Sequence, residues 1–344
     1  MGRFKGYTQW LAGCVVALVG MAGSAAVAEE LTPIRIGWQP TTTVEAQIAH
    51  TLAKTDILER NGLKGTFTMF TYGPAVNEAL VSGAIDVGFV GDMPSVSLAA
   101  VNSPTTVIGR QSVFRGAILA SSKSDIKSLE DLKGKQLSGP FGSSIYLAAL
   151  SMLEKGGIKP SDVRMVNMGF GDLSDAFRAG KTDAVFVWDP WVENFVEKGL
   201  GRVLSEDNSL TMVIVMRSEL AKSRPEVAEK FLKAHKEALL YAANHKDQVN
   251  QWFREPEAAR ALSPAVVEKT TAYDPQWNAK ALKDIRVSFS DSELDRYFGL
   301  GKQAYDLKIF PAAPPLQQKT DLSIAKKVDG SAWSFEPASV KMKQ

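Results

Sequence analysis

Among its 344 residues the chain has one cysteine, Cys14, and three histidines, His50, His235 and His245. A lone cysteine excludes an internal disulfide, and a cysteine placed this near the N-terminus is also a poor metal ligand or nucleophile for the body of the protein. None of the histidines stands at zinc-ligand spacing from another ligand. His235 and His245, ten apart in a helical region, read as surface residues. There is no GxSxG elbow, phosphate loop or dinucleotide fingerprint. No catalytic residue, cofactor or metal is therefore expected, although Asp92 and Asp189 are in principle an acid and a base.

Long apolar runs are missing too, except at the start, where Arg3 and Lys5 precede Leu11 to Val19 and the small-residue end "SAAVA". That order is the order of a secretory signal, residues 1–28, with the mature chain beginning at Glu29. "LAGC" ending at Cys14 resembles a lipoprotein box, but most of the apolar region follows Cys14, where such a signal has already finished. Nothing later approaches the roughly 18 to 20 apolar residues of a membrane span. The expectation is a soluble, exported protein. Charge of one sign is lacking as well: without Arg3 and Lys5 the basic residues fall from 40 to 38, matching the 38 acidic ones. Nucleic acid and anionic membrane surface are poor partners for such a chain.

What is present is an alternation of apolar strands and amphipathic helices, an α/β organisation. "PIRIGWQP" reads as a strand. Val44, Ile48, Ala49 and Leu52 then share a helical face, with Thr42 and Glu45 spaced as a capping box and Gly62 beyond the end. "TFTMFTY" reads as the next strand, and Pro74 suits the start of a helix.

An internal repeat says more. Residues 79–92, "ALVSGAIDVGFVGD", align without a gap to residues 176–189, "AFRAGKTDAVFVWD". Each holds a helix end, a glycine turn (Gly83, Gly180), an aspartate (Asp86, Asp183), a buried strand and a terminal aspartate (Asp92, Asp189). A proline, Pro94 or Pro190, follows at the next helix start. Two similar α/β lobes are the economical reading. Ligands of open α/β sheets bind beyond the carboxyl ends of strands, which is where Asp92 and Asp189 sit. Aspartate before proline is also a good N-cap, so a purely local role stands beside the ligand role. Ser143 and Ser144 open a helix whose buried face is Ile145, Ala148, Ala149, Met152 and Leu153, ending at Gly156. Free N–H groups and hydroxyls there form an anion site without Arg or Lys, unless one serine only caps.

"SLEDLKGK", then "GSS" opening a helix, then a strand ending in "WDP" resembles the periplasmic substrate-binding proteins of taurine, aliphatic-sulfonate and nitrate ABC importers. The likeness runs from "IRIGWQ" through "EALVSGAIDVGFVGDMP" and "GIKPSDVRMVNM" to "FVWDPW". It implies a two-lobed, type II-like periplasmic-binding-protein fold with a ligand cleft between lobes. Residues 29–118 would form lobe 1, 119–213 lobe 2, and 214–344 the completion of lobe 1 with a C-terminal tail. It further implies a monomer that hands a small sulfonate or zwitterion to a membrane permease and its ATPase. A signalling receptor is the other partner such a protein serves. Carried over by position, the ligand residues are Gln39, Gly91, Asp92, Ser143, Ser144, Trp188 and Asp189. Many sulfonate-binding relatives have histidine where this chain has Tyr146, which leaves the shape of the anion site open.

The anion end at Ser143 and Ser144, with Asp189 between Trp188 and Trp191 as a cation end, suits a zwitterion such as taurine. Nitrate, an alkanesulfonate, another small acid or a pyrimidine precursor is the alternative if Asp189 only caps. Trp188 and Trp191 read as ligand contacts or as core, the latter more so for Trp191, and Trp38 should face away from Gln39. Gly116–Lys123 and Thr211–Glu219 are the expected hinge crossings. Beyond Arg224 the chain reads as helical, with Phe231, Ala234, Ala238 and Tyr241 on one face and Ser290 as a cap. After Phe310 it reads as surface wrapping.

Overall fold

The computed structural model describes residues 1, 2 and 30–343. The signal segment and Cys14 lie outside the described residues. Two units, Met1–Glu30 and Leu31–Gln344, are distinct, and the fold belongs to the second. No helix among the described residues is long and apolar enough to cross a membrane.

Eight strands form one sheet: β1 Thr32–Trp38, β2 Leu63–Met69, β3 Val87–Gly91, β4 Thr105–Ser121, β5 Gln136–Gly139, β6 Arg164–Asn167, β7 Ala184–Trp188 and β8 Gly201–Arg217. Their order is β2-β1-β3-β8-β4-β7-β5-β6. The two 17-residue strands β4 and β8 span about 55 Å each and pair antiparallel from Thr105↔Arg217 to Ser121↔Gly201. The end of β8 pairs with β3, and the end of β4 with β7. Each long strand thus finishes one half of the sheet. The segments expected as hinges, 116–123 and 211–219, fall mostly within this pairing, where Gly116–Ala120 also pairs with β7 and Met212–Met216 with β3.

The repeat is structural as well as sequential. Gly83 and Gly180 end their helices with φ of 74° and 71°, a left-handed conformation that glycine adopts without a Cβ penalty. Asp86 Oδ2 accepts the Arg35 N–H of the neighbouring strand at 2.9 Å, and Asp183 Oδ2 accepts that of Gln136 at 3.2 Å. On the other side, the Asp86 carbonyl accepts from Arg217 N–H and the Asp183 carbonyl from Ser121 N–H. The strands that follow, β3 and β7, are buried along their whole length. Helices on both faces explain why neither alternates with polar residues.

Elsewhere the outcome is mixed. β2 starts three residues before the expected run, because Gly62, at φ 73°, turns the chain out of the helix Ile57–Arg60. Pairing of Thr32 with Leu63 then begins at once. Ser290 and Glu293 form a capping box, whereas Thr42 makes no side-chain cap and Glu45 reaches back to the Gln39 N–H instead. Phe231, Ala234, Ala238 and Tyr241 are buried on the helix Pro225–Asn244. His235 is a correction: it is fully buried, not at the surface. This helix is covered on more than one side, by Phe89 of β3 and by the helix Ser323–Gly330. Burial, aided by Arg110, lowers the His235 pKa to about 3. The chain after Phe310 wraps the first half, with Thr320 bridged to Val107 and Met342 to Thr55.

Candidate functional site

Four helices begin at one place between the two halves of the sheet. They are Thr43–Lys54, Gly73–Ser82, Asp92–Ala100 and Ser144–Lys155, and none takes a side-chain cap from the residue before it. Those four residues, Thr42, Tyr72, Gly91 and Ser143, all line one cavity of about 30 Å³. That leaves room for no more than a few water molecules. Its lining includes Gln39, Ser144, Phe114, Ile145, Trp188 and Met212, and no charged side chain. Gln39, Gly91, Ser143, Ser144 and Trp188 are therefore brought together as the sequence suggests.

Local chemistry holds this lining in place. Gln39 Nε2 donates to the Phe89 carbonyl at 2.9 Å. The Ser143 hydroxyl donates to the Pro140 carbonyl at 2.6 Å and so leaves the N–H groups of its own helix uncapped. A side-chain carbon at Gly91 would run into the Ser144 hydroxyl, which itself accepts from Met93 N–H at 3.4 Å across the cleft. Only glycine permits that approach. Trp38, as expected, packs away from the cavity, edge-on to His50 at 4.9 Å.

Four expected site residues do not line the cavity. Asp189 has no exposed surface, and its carboxylate accepts from Arg115 Nε at 2.7 Å and Arg115 Nη2 at 3.0 Å. It also caps the helix Trp191–Glu197 through the Glu193 N–H at 3.1 Å. The cation it was expected to find in a ligand comes from β4. Burial pushes the Asp189 carboxyl up, against the pull of Arg115. Asp92 is likewise taken: Oδ2 accepts from Arg296 Nη1 at 2.9 Å and Oδ1 from Met93 N–H at 2.8 Å. Trp191 is buried, and its indole N–H donates to the Thr41 carbonyl at 3.1 Å. Trp188 donates to the same carbonyl at 2.9 Å, so two indoles of the second half converge on one acceptor of the first. Tyr146 points away, stacked on Phe141 at 4.4 Å between centroids and 5.9 Å from Phe186.

Arg115, Arg296 and Thr41 were not anticipated. For Arg115 the signal was available: an arginine inside the apolar strand "SVFRGAILA" needs a buried acid. For Arg296 and Thr41 nothing local marks the role. Glu45 is the remaining buried acid near the cleft. Burial raises its pKa well above the usual range, with the Gln39 N–H pulling the other way, and its Oε2 has no partner among the described residues.

One mixed sheet with helix N-termini meeting near its middle is the architecture of the periplasmic-binding-protein fold. An alkanesulfonate-binding protein from Xanthomonas axonopodis pv. citri, solved with MOPS bound, shares this fold with a TM-score of 0.72. It is 23% identical and covers 86% of this chain and 99% of its own. The chain belongs to the NMT1-like family, whose model matches residues 27–254. The taurine-binding periplasmic protein of Escherichia coli K12 is 29% identical over 249 residues, 67% of this chain and 74% of that protein. A putative aliphatic sulfonates-binding protein from the same organism is 32% identical over 204 residues, 57% of this chain and 62% of that protein. The match thus spans somewhat under two thirds of that second relative.

Proposed function

We propose that the chain is the extracytoplasmic solute-binding component of an ABC importer and that it holds an organosulfonate by its anionic head. The observation that carries this is the convergence of four helix N-termini on a cavity with no charged side chain. Helix dipoles aligned on the cavity favour an anion there without a counter-cation. Phe114, Ile145, Trp188 and Met212 supply the apolar side of the same cavity, which suits an organic anion better than nitrate. Names of the relatives point the same way.

Within sulfonates, the contacts of Asp189 and Asp92 favour a ligand whose atoms next to the head are uncharged. Neither carboxylate faces the cavity without an arginine already on it. This ranks a plain alkanesulfonate above taurine, reversing the order read from the sequence. The same pairing removes Asp92 and Asp189 as an acid–base couple, which speaks for binding over catalysis. On this reading the protein works in the periplasm as a monomer, the lobes divide near residues 118 and 213, and β4 and β8 are the hinge through which the lobes part to admit solute.

Thermal unfolding with methanesulfonate, ethanesulfonate, taurine and nitrate tests the proposal. Bound solute stabilises by RT ln(1 + [L]/Kd), so at a hundredfold excess over Kd the gain is about 2.7 kcal/mol, roughly 5–10 °C for a chain of this size. Sulfonates should give that shift and be recovered unchanged. No shift with any sulfonate at millimolar concentration, or turnover of one, sinks the reading.

A further inference from the structure

Residues 39–42 join β1 to the helix Thr43–Lys54 and meet the cavity twice, through Gln39 and Thr42. Between these two, the Thr41 carbonyl accepts both indole N–H groups, from Trp188 at 2.9 Å and from Trp191 at 3.1 Å. One short link therefore supplies part of the lining and the acceptor on which two strand-end tryptophans converge. Pro40 has no N–H with which to anchor it, and Thr42 gives its helix no side-chain cap.

Glu45 spans this link. It is the third residue of the helix Thr43–Lys54, the place from which a glutamate ordinarily answers the N–H of the residue just before a helix. Here it reaches further back, and its Oε1 accepts the Gln39 N–H at 2.7 Å. The side chain of Gln39 is fixed in turn, with Nε2 on the Phe89 carbonyl at 2.9 Å. Glu45 has no exposed surface, and its Oε2 has no partner among the described residues. Burial outweighs the Gln39 N–H and drives the carboxyl toward its neutral form. A neutral carboxyl puts no negative charge beside helix N-termini that favour an anion.

We propose that Glu45 is a positioning residue of the solute site: its carboxyl holds Gln39 and, through the link, keeps the Thr41 carbonyl where the two indoles meet it. Glu45 does not itself line the cavity; it acts through Gln39 and Thr41. This rests on the sulfonate reading above and adds to it a residue behind the lining on which affinity depends.

Titration calorimetry with methanesulfonate on the full chain, Glu45→Gln, Glu45→Leu and Thr51→Val tests it. Glutamine offers the same oxygen to the Gln39 N–H and should bind within about twofold of wild type, whereas leucine should bind roughly tenfold more weakly, the equivalent of one hydrogen bond. Thr51, buried on the same helix with its hydroxyl on the Gln47 carbonyl at 2.8 Å, is the control. Thr51→Val removes a buried hydrogen bond and should leave Kd unchanged. Hydrogen exchange of the Gln39 amide in wild type needs no variant, and methanesulfonate should slow it about tenfold or more. A purely structural bond would protect that amide equally with and without solute. Undiminished affinity in Glu45→Leu, an equal loss in Glu45→Gln or in Thr51→Val, or a Gln39 amide indifferent to methanesulfonate overturns the assignment, while methanesulfonate binding to wild type keeps the sulfonate reading intact. Wild type that binds no methanesulfonate removes that reading, and the role of Glu45 with it.

Discussion

The two copies of the repeat end alike and are used differently. Asp86 and Asp183 do the same work, each accepting a backbone N–H from the neighbouring parallel strand. Asp92 and Asp189 each take an arginine, but Arg296 comes from a late helix and is about a quarter exposed, whereas Arg115 comes from the crossing strand β4 and is almost wholly buried. The residue before the aspartate differs most. Gly91 lets Ser144 close against it; Trp188, in the matching place, reaches over to Thr41. The two strand ends share a scaffold, and at the position before the aspartate a glycine in one copy stands where the other has a tryptophan.

The comparison can be broken at the arginines first. Arg115→Met strands Asp189 in the interior and should cost about 3–5 kcal/mol, whereas Arg296→Met, at a wetter pair, should cost about 1–2 kcal/mol. Chemical denaturation of the two variants measures both, and equal losses would mean that the two strand ends are energetically equivalent after all.

The halves also differ in what covers their central phenylalanines. Phe89 packs on Phe231 and His235, while its counterpart Phe186 faces Phe141 and Tyr146. A histidine whose folded pKa is about 3 binds fewer protons than its unfolded form near 6.5, so its share of stability is full above that value and declines as pH falls toward 3. Between pH 7 and 5 the loss should be about 2 kcal/mol. His235→Leu should flatten that slope; an unchanged slope would place the acid sensitivity in another group.

Smaller effects belong to the cleft itself. Gly91→Ala should push Ser144 aside and weaken sulfonate binding by roughly tenfold, a strain of about 1.4 kcal/mol. Trp191→Phe keeps a ring in the core and deletes one of the two donors to Thr41. Its expected cost is about 1 kcal/mol, read as a fivefold weaker Kd. Affinity unmoved by Trp191→Phe would mean that the indole bond to Thr41 does not favour closure.

Much of this architecture was legible in the chain. The glycine turns and buried strands of the repeat are local patterns, and so are the helix stripe after Ser144 and the cap at Ser290. Long-range partners were not legible. Arg115 is 74 residues from Asp189 and Arg296 is 204 from Asp92, so nothing near either aspartate announces that its charge is spent. The tyrosine at position 146 failed as a guide because helical phase turns it toward Phe141. His235 was misplaced because its helix is buried on more than one side, which periodicity alone does not reveal.

The central claim is that the cleft reads an anionic head and has no free carboxylate for an amine. Taurine and ethanesulfonate differ by one ammonium group, so their affinities measured side by side by calorimetry test it most directly. The account predicts ethanesulfonate binding at least as tightly as taurine. Taurine binding a hundredfold tighter would show that a carboxylate, Asp189 first among them, leaves its arginine to meet the ligand.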